Sequence, residues 1–152
     1  MNRKPPYLDK FYPDVYRALN DVSRKLRVLY PDVDLPLSLI ELVSVRVSQI
    51  NGCGTCLSIH VPAARRAGVP ENKLDALAAW RMVDEFTEQE KAALDLAETL
   101  TTLPQGRDNS RAGAIACDVF AEEQVAALEW AIIMINTYNR ISIASGHPLI
   151  SR

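Results

Sequence analysis

The chain has 152 residues, enough for one domain with a single hydrophobic core and too few to favour two. Hydrophobic residues make up 48% and charged residues 24%, the balance of a packed globule; the net charge of −2, with Lys and Arg scattered, leaves no footprint for nucleic acid or an anionic membrane. The longest strongly apolar stretch, Trp130 to Ile135, falls far short of the roughly 20 residues of a membrane span, and Met1 to Pro6 lacks the apolar segment of a secretory signal, so a cytoplasmic location is expected.

Helical signals dominate, and an all-α bundle of about six helices is expected. The first runs from about Pro13 to Leu29, with Val15, Leu19, Val22, Leu26 and Leu29 recurring at steps of three and four and Pro31 ending it. The second runs from Pro36 to about Ile50, with Leu39, Leu42, Val43, Val47 and Ile50 on one face. Val43, Val45 and Val47 also alternate, so a strand is the competing reading of that segment.

Asn51-Gly52 breaks the second helix, and the next is expected from Cys53 to about Ala67, stopped by Gly68. Pro62 lies inside it and crowds the carbonyl of Ser58, which predicts a kink or an early end. A short helix follows Pro70 with Leu74, Leu77, Ala78 and Trp80. Thr87-Glu88-Gln89-Glu90 then has the spacing of a capping box and opens a helix with Ala93, Leu94, Ala97 and Leu100 on its apolar face.

Pro104 to Ser110 reads as a surface loop within one core. Arg111 to Val119 carries a helical pattern despite Gly113, and the last helix runs from about Glu122 to Ala144, closing at Gly146. Val125, Leu128, Ile132, Ile133, Ile135 and Ile141 all call for burial, more than one small bundle covers, so part of this helix is expected in a subunit contact.

Three cysteines are too few for a disulfide framework, and two of them stand three residues apart, a spacing that in a reducing compartment points to redox or metal chemistry. In Cys53-Gly54-Thr55-Cys56-Leu57-Ser58-Ile59-His60, helical spacing puts Cys53, Cys56 and His60 on one face. A thiol attacks as the thiolate, and a free cysteine with a pKa of about 8.5 is mostly protonated in the cytoplasm. The positive end of a helix and a histidine one turn away both favour the thiolate. A sulfenic acid formed by peroxide condenses with a neighbouring thiol and releases water, for which a cysteine three residues away is suited. Glu41 lies twelve residues before Cys53 on the preceding helix; it approaches His60 if the two helices pack antiparallel, but spacing alone favours a solvated helix residue.

Glu41-Leu42-Val43, Arg46-Val47-Ser48-Gln49-Ile50-Asn51-Gly52-Cys53, Cys56, His60, Ala64-Arg65 and Ala67-Gly68 resemble the core signature of the alkyl hydroperoxidase D-like / carboxymuconolactone decarboxylase family. The resemblance continues in Leu77-Ala78-Ala79-Trp80, Phe86-Thr87, Glu90-Lys91-Ala92-Ala93-Leu94 and Ile135-Asn136-Thr137-Tyr138-Asn139-Arg140, and covers roughly Leu35 to Ala144. It implies an all-helical fold, a trimeric or hexameric homo-oligomer, and reduction of hydroperoxides without a bound cofactor. It also implies that Cys56 is the peroxidatic sulfur, Cys53 the resolving thiol and proton donor, and Glu41 and His60 a proton relay. A thioredoxin-like protein or a lipoyl-type dithiol is the expected reductant. The pattern departs at Thr55, where some members carry a second histidine, which implies a shorter relay and weaker activity or another substrate. The family also contains decarboxylases of the muconolactone type, and the cysteine pair argues for its redox branch.

Three other readings compete. The cysteines can be small buried residues or an incidental disulfide. Zinc would find ligands in Cys53, Cys56 and His60, but a closed site needs four and no second Cys or His pair follows, so no metal is expected. A sensor that uses a Cys53–Cys56 disulfide as a switch, without turnover, needs only the pair. Leu57 after Cys56 excludes a c-type haem site. Elsewhere, Cys117 is read as a core residue, His147 as a surface residue, Trp80 and Trp130 as packing anchors, and Asn136, Tyr138 and Asn139 as either helix contacts or shapers of the site.

Overall fold

A computed structural model describes residues 3–151, so Met1 and Asn2 of the polar N-terminal stretch, and Arg152, lie outside the described residues. After the single turn α1 (Leu8–Phe11), helix α2 (Pro13–Asp32) starts with proline in its first turn, where no backbone donor is lost. It does not stop before Pro31. Proline this close to the end deprives only the Arg27 carbonyl, and the helix ends one residue later at Asp32, with Asp34 left-handed at φ 56° and the Leu35 amide donating to the Tyr30 carbonyl at 2.9 Å.

Helix α3 (Leu37–Asn51) follows, so the alternating valines belong to a helix and not a strand. Next, α4 (Gly54–Arg66) runs through Pro62 without ending early. The short helix after Pro70 is α5 (Glu71–Ala76), continued by a 3-10 helix (Leu77–Met82) that Ala79 interrupts. The expected capping box opens α6 (Glu88–Thr102): Glu90 N–H donates to Thr87 Oγ1 at 3.2 Å and Thr87 N–H to Glu90 Oε2 at 2.8 Å. Two more helices, α7 (Arg111–Ala116) and α8 (Glu122–Ser145), complete the described residues, which contain eight α-helices.

Why the valines alternate within a helix is visible in the packing. Helix α3 is buried nearly all round, so its apolar residues follow no single stripe. Leu39, Ile40, Val43 and Val47 pack with α2, α6 and α8, while Leu42 and Val45 face Ala64 of α4 together with Leu77, Trp80, Phe86 and Leu94. Glu41, Ser44 and Ser48 of α3 are therefore held inside the protein.

Several expected faces lie elsewhere. Helix α2 packs through Leu19, Leu26 and Tyr30, leaving Val15, Val22 and Leu29 exposed. On α8, Val125, Leu128, Ile132 and Ile135 are buried, but Ile133 is 49% and Trp130 52% exposed, so Trp130 is not a core anchor like Trp80. Cys117 is exposed, not in the core. Periodicity names the residues that share a face; only a neighbouring element decides which face is covered.

Trp80 is an anchor, and its indole leads to a partly buried carboxylate. Trp80 Nε1–H donates to Glu98 Oε1 at 2.8 Å, as does Arg46 Nε at 2.8 Å, and Arg81 donates to Glu98 Oε2 at 2.9 Å. Burial opposes the charge on Glu98, but these three donors outweigh it and hold its pKa below the ordinary value. A depressed carboxylate contributes stability that is fully present above the unfolded value of about 4.3 and is lost as the pH falls through the lower folded value. Glu98→Gln is therefore expected to destabilise the fold by about 1–3 kcal/mol at neutral pH and to flatten the acid limb of a denaturation series, measured by chemical unfolding from pH 7 to pH 3.

Candidate redox site

The site is built on a two-residue joint, Gly52 and Cys53, between α3 and α4. Gly52, at φ 67°, takes the left-handed conformation that lets α3 end, and the Cys53 amide donates back to the Ser48 carbonyl at 3.0 Å. Cys53 is at the same time the N-cap of α4: its Sγ accepts the Cys56 amide at 3.3 Å. Backbone geometry alone thus brings the two cysteines together, with Cα atoms 5.3 Å apart, and they are joined as a disulfide at the positive end of α4. So short a loop restrains the unfolded chain little. Reduction is expected to lower stability by no more than about 2 kcal/mol, checked by denaturing the oxidised and reduced forms side by side.

His60 stands one turn beyond Cys56, and its Nδ1 lies 2.7 Å from Glu41 Oε2. Glu41 is 6% exposed, so the solvated role that spacing favoured for it is wrong: α3 is enclosed and the carboxylate faces α4. A buried carboxylate needs a partner, and His60 supplies it. Cys56, His60 and Glu41 border one cavity of about 330 Å³, closed on its other sides by α2 and α8. Cys53 does not border it and faces the C-terminal segment instead. Along the same cavity, burial pushes the Tyr30 phenol up to about 12; Arg27 works against that shift and the charge of Glu41 adds to it, so the phenol stays protonated at neutral pH.

Two sets of residues that hold the joint were not singled out from the sequence as doing so. Asn51, directly before Gly52, donates to Asn136 Oδ1 and to Asn139 Oδ1, both at 2.9 Å, and the fully buried Asn139 donates to Ser48 Oγ at 3.1 Å. This settles the role of the asparagines on α8: they clamp the end of α3 from which the cysteines depart. The second set is a strap. Thr55 donates to the carbonyls of His147 at 2.7 Å and Pro148 at 3.1 Å, and Ile150 N–H donates to Ser58 Oγ at 3.0 Å. His147 is accordingly only part-exposed, its Nε2 3.1 Å from Asp9 Oδ1. Thr55, between the two cysteines, points to the strap. The one signal for these residues was the presence of small polar side chains at helical spacing in apolar stretches.

The fold is thus an all-helical domain whose buried Cys-x-x-Cys pair caps a helix, beside a histidine held by a carboxylate, the arrangement of a candidate thiol site. The model of the carboxymuconolactone decarboxylase family matches residues 13–99, and the chain belongs to that family. It is 39% identical over 112 residues, 74% of its own length, to the uncharacterized protein YdfG of Bacillus subtilis, of which the match covers 76%. In structure it is similar to ATU0492 of Agrobacterium tumefaciens, a protein of unknown function provisionally linked to antioxidant defence as an AhpD, with a TM-score of 0.87 at 25% identity over 99% of this chain and 100% of that one. An uncharacterized peroxidase-related protein from Silicibacter sp. TM1040 shares the fold, with a TM-score of 0.63 at 21% identity over 81% of this chain and 67% of that one.

Proposed function

We propose that the protein is a thiol peroxidase that reduces organic hydroperoxides and is regenerated by a dithiol. The observation that carries this reading is the shared cavity: Cys56, His60 and Glu41 border it together, and Cys53 stands behind Cys56. With Nδ1–H of His60 engaged by Glu41, Nε2 is the nitrogen left to take the thiol proton. The Cys56 thiolate attacks the outer oxygen of the hydroperoxide; the O–O bond breaks, the alcohol leaves with a proton, and Cys56 becomes a sulfenic acid. The Cys53 thiol then attacks the Cys56 sulfur, the S–S bond forms and water leaves. An external dithiol, thioredoxin-like or lipoyl-type, returns both thiols by exchange and takes up the oxidation as its own disulfide.

A reducing cytoplasm would keep this cycle supplied, and the exposed Trp130 and Ile133 on α8 support the homo-oligomer that the family resemblance implies. The test is peroxide consumption by the purified protein with dihydrolipoamide or a thioredoxin system as reductant, run beside Cys56→Ser. Turnover that disappears in the variant supports the peroxidase. Stoichiometric oxidation to the disulfide, without turnover, would make the pair a sensor.

A further inference from the structure

One wall of the Cys56 cavity is a stripe along α2. Tyr16, Asn20, Ser23, Arg27 and Tyr30 follow steps of four and three, so a single face of the helix looks onto the reactive sulfur. The opposite walls are mainly apolar, with Leu37, Ile40, Ile59, Ala131 and Met134 among them. Arg27, Tyr30 and Leu37 also border a second, more open cavity of about 780 Å³, so they stand where the inner cavity meets the outer one.

The charges at this junction are unequal. Two acids border the cavities: Glu41, which is occupied by His60, and Asp34 in the outer one. Neither pairs with Arg27, which has no ion-pair partner among the described residues. Glu98, by contrast, draws in both Arg46 and Arg81. A guanidinium at the mouth of a cavity with a polar stripe on one side and an apolar wall on the other, with five fixed donors, is matched by a planar carboxylate, which it binds through two parallel hydrogen bonds.

We propose that the molecule entering this cavity is an organic acid, and that Arg27 binds its carboxylate while the apolar walls hold its chain towards Cys56. Combined with the peroxidase reading, on which only the reacting group rests, the substrate is a hydroperoxide carrying a carboxylate. Arg27 is then the residue that sets specificity, and it takes no part in the chemistry of the sulfur.

The probe is octanoate, with octanol as its uncharged counterpart. Each is titrated against the reduced protein, and its binding is read as slower alkylation of Cys56 by iodoacetamide, with Cys117 scored separately by peptide mass. Octanoate is expected to protect Cys56 at concentrations at least tenfold below octanol, and Arg27→Gln to remove about tenfold of that protection. The difference should shrink at high salt, because Arg27 is solvent-exposed. Equal protection by octanoate and octanol, or octanoate protection unchanged in Arg27→Gln, would overturn the proposal. Neither readout uses peroxide. If the protein proves not to be a peroxidase, the carboxylate site is still decided by these titrations. If it is one, the ratio of Cys56 oxidation rates for a hydroperoxide of octanoic acid over tert-butyl hydroperoxide should fall about tenfold in Arg27→Gln.

Discussion

Cys56→Ser is expected to abolish peroxide-dependent oxidation of the site, and Cys53→Ser to leave a sulfenic acid trapped on Cys56. The two variants differ because the cavity opens onto one sulfur and not the other. A serine hydroxyl at Cys56 is too weak a nucleophile to break an O–O bond, and Cys53 does not border the cavity that holds His60 and Glu41. With serine at Cys53 the first step proceeds and the second has no thiol to complete it. Neither change should unfold the protein: serine is close to cysteine in size, and at Cys53 it is itself a preferred N-cap, so the amide of Cys56 keeps an acceptor. Mass spectrometry with a sulfenic-acid trap separates the outcomes. Disulfide turnover in either variant would remove the assignment of roles.

His60→Ala is expected to slow the reaction of Cys56 with hydroperoxide about a hundredfold, the ordinary scale for losing a positioned base. The pH profile for alkylation of the reduced thiol should move to higher pH as well. Glu41→Gln separates two contributions, because the amide still holds a neutral imidazole through its oxygen but no longer stabilises the imidazolium formed when the thiol proton arrives. A loss smaller than that of His60→Ala, with a changed pH profile, is expected. An unchanged profile in both would mean that the pair is structural. Stopped-flow oxidation of the reduced protein measures both rates without involving the dithiol.

The parts of the structure that depend on neighbours in sequence were legible before any coordinates. Gly52 as a helix stop, the Thr87 and Glu90 capping box, and Cys53, Cys56 and His60 on one face all follow from local rules. What failed depends on which element lies across the way. Val15 and Val22 repeat as a buried face would, yet no element covers them. Cys117 shares a helical pattern with Ile115 and Val119, and all three are exposed. For Glu41, spacing alone favoured a solvated helix residue and only the family resemblance put it beside His60; the burial of α3 is what gives it that partner. Asn139 could be read either way until its hydrogen bonds to Ser48 and Asn51 fixed its role.

The strap leaves both ends of the described chain beside the cysteines. The Leu8 amide donates to Ser145 Oγ at 3.1 Å, the Tyr7 ring stands edge-on to His147 at 4.7 Å, and residues 147–150 cross the Cys-x-x-Cys turn. Helix α1 buries no residue of its own, so the core is complete without it. An affinity tag, a fusion partner or a proteolytic nick at either end therefore acts first on the surroundings of Cys53, and a preparation can pass every test of folding while its thiols report the handling.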